Sequence, residues 1–298
     1  MSVAPLDQAA ELRLLMETRV ATKPASTPSP ARPRRCRIIA VASGKGGVGK
    51  TNLAVNLSIV LSRLGRRVVL LDADLGTANV DVVLNVQTRF DLTDLIQGRR
   101  TVDEVAARLG DGLRLIRGVS GIPAFADMPA SDRKRLIDQL GDLEGQSDFI
   151  VIDCGAGVSE NVIAFAHAAD ELLIVTTPEP TAITDAYALI KVLARHDAPP
   201  AMNLVVNQAG SQSEARLVAD RVSGVAERFL GIPLGSRGHI LRDEHVSLAV
   251  RGRAPFVTRF PRCLAATCVT ALAERLCRDL PARRNEGGFF RRALAFFC

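Results

Sequence analysis

The stretch Gly44-Lys45-Gly46-Gly47-Val48-Gly49-Lys50-Thr51 decides the fold. It follows the apolar run Ile38–Ala42 and precedes a helical pattern from Asn52 to Leu64. A strand, a glycine-rich turn and a helix in that order form a phosphate cradle. The glycines let backbone N–H groups wrap phosphate oxygens, and the helix directs its positive end at them. Lys50 can reach the β- and γ-phosphates, and the Thr51 hydroxyl can bind Mg²⁺.

Outward from this loop, short apolar runs alternate with amphipathic segments. The runs are Ile38–Ala42, Val68–Leu71, Leu113–Ile116, Phe149–Ile152, Leu172–Val175 and Leu204–Val206. They are β-branched and too short for helices. The rhythm predicts an α/β fold, a mostly parallel doubly wound sheet with helices on both faces.

Composition bounds the rest. The chain has 298 residues, 47% hydrophobic and 23% charged, as in an ordinary globular protein. It lacks an apolar run of about 18 residues, so an integral membrane protein is excluded. The first twenty residues carry Asp7, Glu11 and Glu17, unlike a secretory signal. Six cysteines form no Cys-x-x-Cys pair, which fits reduced cytosolic thiols. A net charge of +6 points to an anionic partner without saying which.

Two further segments end in acidic residues. Leu70-Leu71-Asp72-Ala73-Asp74 places two carboxylates on one side of an extended segment, at the ligand end of an open sheet. Phe149 to Asp153 repeats the pattern with one aspartate and then glycines. Asp72, Asp153 and Thr51 are the candidate Mg²⁺ ligands.

The loop, with its second lysine at Lys45, resembles the deviant phosphate loop of the MinD/ParA family. Without that resemblance Lys45 reads as a solvated surface lysine. The resemblance implies an ATP-dependent sandwich homodimer in which Lys45 touches the partner's nucleotide. It also implies that Asp74 orients the attacking water, and that Lys45, Lys50 and Asp74 form the catalytic set. Residues 44 to 52, Gly44 through Asn52, would hold the nucleotide. Asn207 would read the adenine edge, and Pro233, in Leu230-Gly231-Ile232-Pro233, would lie in a base-contacting strand.

Three stretches narrow the branch: residues 72–84 (DADLGTANVDVVL), 153–162 (DCGAGVSENV) and 176–191 (TTPEPTAITDAYALIK). They resemble the FlhG (FleN) branch, flagellar number and placement ATPases of bacteria. MinD-like septum-site and ParA-like DNA-segregation ATPases are the alternatives. Residues 7–13 (DQAAELR) resemble the segment with which FlhG stimulates FlhF, a GTPase of the signal-recognition type. Asp7, Gln8, Leu12 and Arg13 carry that match. A terminal helix docked on its own domain is the plainer alternative. The resemblance further implies flagellar C-ring proteins or a flagellar transcription regulator as partners, and a cytoplasmic protein peripheral at the inner face of the membrane when ATP is bound.

The chain thus divides into a helical segment 1–20, a proline-rich linker 21–36, an ATPase domain 37–281 and a basic tail 282–298. Four of eleven phenylalanines fall in the last twelve residues. On a helical wheel Phe289, Phe290, Leu294, Phe296 and Phe297 share one arc, with Arg291 and Arg292 opposite. Such a helix suits an anionic bilayer and argues against nucleic acid as the partner. The alternative is a helix packed on the domain's own core.

Overall fold

The structure, a computed structural model, describes residues 36–74, 79–110, 112–118, 130–196, 199–278 and 288–296. The segment expected at 1–20, with Asp7, Gln8, Leu12 and Arg13, and all of the expected linker 21–36 except Cys36 lie outside these residues.

All six apolar runs are strands. In chain order the sheet comprises β1 (Arg37–Ser43), β2 (Val68–Ala73), β3 (Ala107–Arg108), β4 (Leu113–Ile116), β5 (Phe149–Ala156), β6 (Glu171–Thr176), β7 (Ala201–Ala209) and β8 (Gly235–Leu241). Spatially they run β3-β4-β2-β5-β1-β6-β7-β8. Every pairing is parallel except the short β3 on β4.

The period-two alternation of strands feeds two apolar layers. Ile38, Ala40 and Ala42 face one side, and Ile39 and Val41 the other. The second layer holds α1 (Lys50–Arg63), which follows the phosphate loop. It also holds α9 (Glu244–Arg251), α10 (Phe256–Arg259) and α11 (Leu264–Arg278). The first layer is covered by α5 (Ala130–Gln146), α6 (Glu160–Ala168), α7 (Pro180–Leu193) and α8 (Gln212–Leu230). The short helices α2 (Val80–Leu84), α3 (Leu92–Ile96) and α4 (Val102–Val105) fill the crossover from β2 to β3.

Two expectations are corrected here. The polar run Gly235-Ser236-Arg237-Gly238-His239 is strand β8, and the expected strand around Ile232-Pro233 is the connection before it. As an edge strand β8 is buried throughout its length only at Ile240, so no apolar run marks it.

The tail is the second correction. Its helix α12 (Phe289–Ala295) lies against α6 and α5, within the same compact unit as the ATPase domain. Phe289, Phe290 and Ala293 are buried in the first layer. Phe289 stacks on Phe165 with ring centroids 6.3 Å apart. Phe296 sits against His196 and His167 at 5.4 and 6.2 Å. Arg292 donates to the Ala168 carbonyl at 2.8 Å and pairs with Asp170. Arg291 is exposed. The aromatic arc expected to face lipid is therefore turned into the protein, because α6 offers it an aromatic partner and the free end of α6 offers Arg292 a carbonyl. Phe297 and the Leu294 side chain lie outside the described residues.

Removing a buried phenylalanine costs about 3 kcal/mol or more. Phe289→Ala is therefore expected to speed amide hydrogen exchange in residues 288–296 by roughly a hundredfold, with β1 and β5 unchanged. Unaltered exchange in the tail would show that Phe289 does not hold it.

Candidate functional site

The sheet dictates where the chemistry sits. β1 lies at its centre, between β5 and β6. The loops leaving its carboxyl end and those of its neighbours share one crevice. Residues 44–49 leave β1 there. Gly49, at φ 90°, is the residue before α1, in a backbone region that favours glycine. Gly44 is required for a different reason: a Cβ there would lie 1.9 Å from the Asp185 carbonyl oxygen of α7. The cradle is thus clamped onto α7.

Asp72 and Asp153 are direct partners in the β2–β5 register. Both are buried. Lys50 Nζ donates to Asp153 Oδ1 at 2.8 Å and approaches Thr51 Oγ1 at 3.4 Å. Burial raises the Asp153 pKa, and Lys50 and the Thr51 hydroxyl oppose that rise. Burial and then the charge of Asp153 push Asp72 up to about 7. The oxygens of Asp72 accept the Asp74 amide at 3.1 Å and the Val80 amide at 3.3 Å. Asp72 therefore anchors both ends of the 74–80 segment. The Asp74 carboxylate lies near Gly155, where a Cβ would come within 3.6 Å of its Oδ1. The neighbouring thiol Cys154 is buried and pushed up to about 12, so it packs rather than reacts.

Lys45 is held within its own chain. Its Nζ lies 3.2 Å from Glu179 and 2.9 Å from Thr181 Oγ1, at the start of α7. Its side chain is 38% exposed and that of Glu179 is 66% exposed, so solvent weakens the pair.

A cleft of roughly 410 Å³ adjoins the loop, of a size that takes a nucleoside. Gly47, Gly49, Asn52 and Asn207 line it. Asn207 donates Nδ2 to the Val48 carbonyl at 2.7 Å, so it braces the loop. Pro233 is not there. β8 runs parallel to β7 with Gly235 level with Asn203, which puts Pro233 roughly 15–20 Å from the ligand end. The opposite wall instead comes from the carboxyl end of β8 and from α9: Leu241, Arg242, Asp243, Val246 and Val250. Sequence reasoning missed them. The available signal was Ile240-Leu241 followed by Asp243, an apolar strand end running into a helix cap. Asp243 caps α9 through the His245 amide and also accepts from the Ala265 amide at 3.2 Å, so it fixes this wall.

The residues fit Mg²⁺. Thr51, Asp153 and Asp72 supply oxygen donors of the kind Mg²⁺ takes. Among the described residues Lys50 is the one basic side chain paired with these two buried carboxylates, and burial raises the pKa of both, with the charge of Asp153 adding to the rise at Asp72. Among the described residues no helix is long and apolar enough to cross a membrane.

The family model described as "AAA domain" (AAA_31) matches residues 36–206. The antiactivator FleN of Pseudomonas aeruginosa is 40% identical over 240 residues, covering 80% of this chain and 86% of FleN. The flagellum site-determining protein YlxH of Helicobacter pylori is 38% identical over 270 residues, covering 87% of this chain and 90% of YlxH. Among solved structures, the cell division ATPase MinD of Pyrococcus furiosus superposes with a TM-score of 0.66 at 28% identity, over 81% of this chain and 98% of that one. MinD of Pyrococcus horikoshii, complexed with Mg-ADP, gives 0.67 at 26% identity, over 82% of this chain and 96% of that one. With its phosphate loop, paired strand-end aspartates and second loop lysine, the chain belongs to the FleN/FlhG family of MinD/ParA-type P-loop ATPases.

Proposed function

We propose that this protein is a Mg²⁺-dependent ATPase switch that dimerises on ATP, cycles onto the cytoplasmic face of the membrane and sets flagellar number or placement together with an FlhF-type GTPase. The observation that carries the reading is the placement of both loop lysines. Each is held by an acidic residue of its own chain, at a distance from which it can exchange that carboxylate for a phosphate. The similarity to FleN and YlxH supports the flagellar role.

In the proposed mechanism Lys50 leaves Asp153 for the β- and γ-phosphates, while Asp153 and the Thr51 hydroxyl face the metal. The bound Mg²⁺ would neutralise charge on the phosphate oxygens. Lys45 leaves Glu179 and Thr181 and crosses to the partner's γ-phosphate. Asp74 orients a water whose oxygen attacks the γ-phosphorus. The bond to the β–γ bridging oxygen breaks, ADP leaves with that electron pair, and the water's proton ends on phosphate. Stabilisation of the spreading negative charge by two lysines is the main catalytic effect. The tail helix α12 stays docked until a bilayer competes for its phenylalanines. The DQAAELR segment acts on the partner GTPase, and C-ring or transcription regulators read the dimer.

Sedimentation in ATP, ADP and no nucleotide tests the dimer. ATP alone should drive dimerisation, and Lys45→Ala should abolish it while nucleotide affinity changes little. A Lys45→Ala protein that dimerises normally would remove the trans role. Asp74→Ala should lower hydrolysis by about a hundredfold or more, with ATP affinity nearly constant, giving a dimer locked in ATP. Near-normal phosphate release would exclude Asp74 as the water-orienting group. Deleting residues 1–20 should abolish stimulation of FlhF and leave this protein's ATP turnover unchanged. A full-length protein that fails to stimulate its cognate FlhF would reduce the segment to a docking helix.

A further inference from the structure

Among the described residues, the two most exposed large apolar side chains lie on one helix, α8: Leu217 at 71% and Phe229 at 66%. Val225 is exposed between them. Leu217, Arg221, Val225 and Phe229 recur every four residues, and Arg228 joins them. The Arg228 guanidinium lies 5.4 Å from the Phe229 ring centre. At 100° per residue the set covers an arc of about 120° and runs about 18 Å along the axis. The seam of α8 that faces the sheet adjoins the stripe: Ala215, Val218, Ala219, Val222 and Ala226 are buried.

Charge sorts by flank. Arg221 and Arg228 interleave with the apolar residues, whereas Asp220 and Glu227 fall on the opposite flank with Arg216. Glu214, at the near end, has its carboxylate occupied by the Gly210 amide at 2.6 Å. Glu214 falls within the same arc at that end and keeps its charge, so the exposed stripe is apolar and carries two arginines against one carboxylate. It also has a definite place in the fold. Val222 and Ala226 of α8 belong to the same apolar layer as Phe289 and Phe290 of the tail, so α8 and α12 cover the same face of the sheet.

We propose that this flank of α8 is a second contact with an anionic lipid bilayer, separate from the tail helix. The proposal adds a site to the membrane-cycling reading and rests on it. Leucine, valine and phenylalanine at the headgroup boundary bury apolar surface, and arginines at their sides meet lipid phosphates. Duplex nucleic acid would reward the two arginines but leave the three apolar side chains without a partner, so a bilayer is the better match. Because the tail phenylalanines are docked, the α8 stripe is the part of this face ready to meet lipid first.

The test is co-sedimentation of the full chain in ATP with phosphatidylglycerol–phosphatidylcholine vesicles and with pure phosphatidylcholine vesicles. Two double variants are compared: Leu217→Glu with Phe229→Glu, and Arg221→Glu with Arg228→Glu. None of these residues lines the nucleotide cleft. Each variant should need at least about tenfold more anionic lipid for half-binding, with ATP-driven dimerisation and ATP turnover unchanged. Binding equal to wild type in both variants overturns the α8 contact while leaving the membrane reading intact. A wild-type protein that does not sediment with anionic vesicles overturns the membrane reading and the contact with it. Loss of dimerisation or of GTPase stimulation in both variants, with lipid binding retained, would make the stripe a protein interface and overturn the proposal.

Discussion

One lysine balancing two buried carboxylates is the constraint on which the site depends. Parallel pairing of β2 with β5 sets Asp72 beside Asp153, and Lys50 reaches only Asp153, at 2.8 Å. The Asp72 pKa rises from 3.8 to about 7. A carboxyl whose folded pKa is raised contributes stability that is fully present below its unfolded value and lost as pH rises through its folded value. The empty site therefore works increasingly against the fold as pH rises from about 4 to 7, and in full above that. A divalent cation at the carboxylates, or a nucleotide that carries one, removes that cost. Ligand affinity and folding stability are thus linked through the same two strand ends.

The sequence showed the centre of this design well and its edges poorly. Central strands are buried on both faces, so Ile38–Ala42 and Phe149–Ile152 had to be continuous apolar runs, and they read as such. The loop glycines were equally visible, because Gly44 meets the α7 backbone and Gly49 holds a positive φ. β8 escaped because an edge strand needs little apolar surface; its residues 235–239 include two glycines, a serine, an arginine and a histidine. Missing β8 shifted the base-contacting wall to Pro233, at the wrong end of the strand, and hid Arg242 and Val246. The aromatic arc of the tail was legible as an arc. What it faces was not, since an amphipathic helix has the same pattern on a bilayer and on the α5 and α6 surface. Only the partner side chains, Phe165, His167 and His196, decide that, and they are more than ninety residues away.

Three groups proposed to leave their present contacts, Lys50 for its own nucleotide and Lys45 and the tail for partners outside the protomer, are held inside it, and the strengths of those contacts differ. The Lys45–Glu179 pair is solvent-exposed and contributes at most about 1 kcal/mol, so a partner's phosphate in the proposed dimer would displace it readily. The Lys50–Asp153 pair is buried, and breaking it without replacement would leave uncompensated charge, so Lys50 moves only when phosphate arrives. The tail is the hardest to release, because Phe289 and Phe290 each lose about 1.5–3 kcal/mol of burial on leaving. A bilayer must return that amount. Arginines near anionic lipid supply roughly 1 kcal/mol each, which leaves a single protomer near balance. In the proposed ATP dimer two protomers would present two tails and two α8 stripes, and the second contact would then form within one particle at high effective concentration. In the proposed cycle the ordering of these contacts has the nucleotide act first, the dimer second and the membrane last.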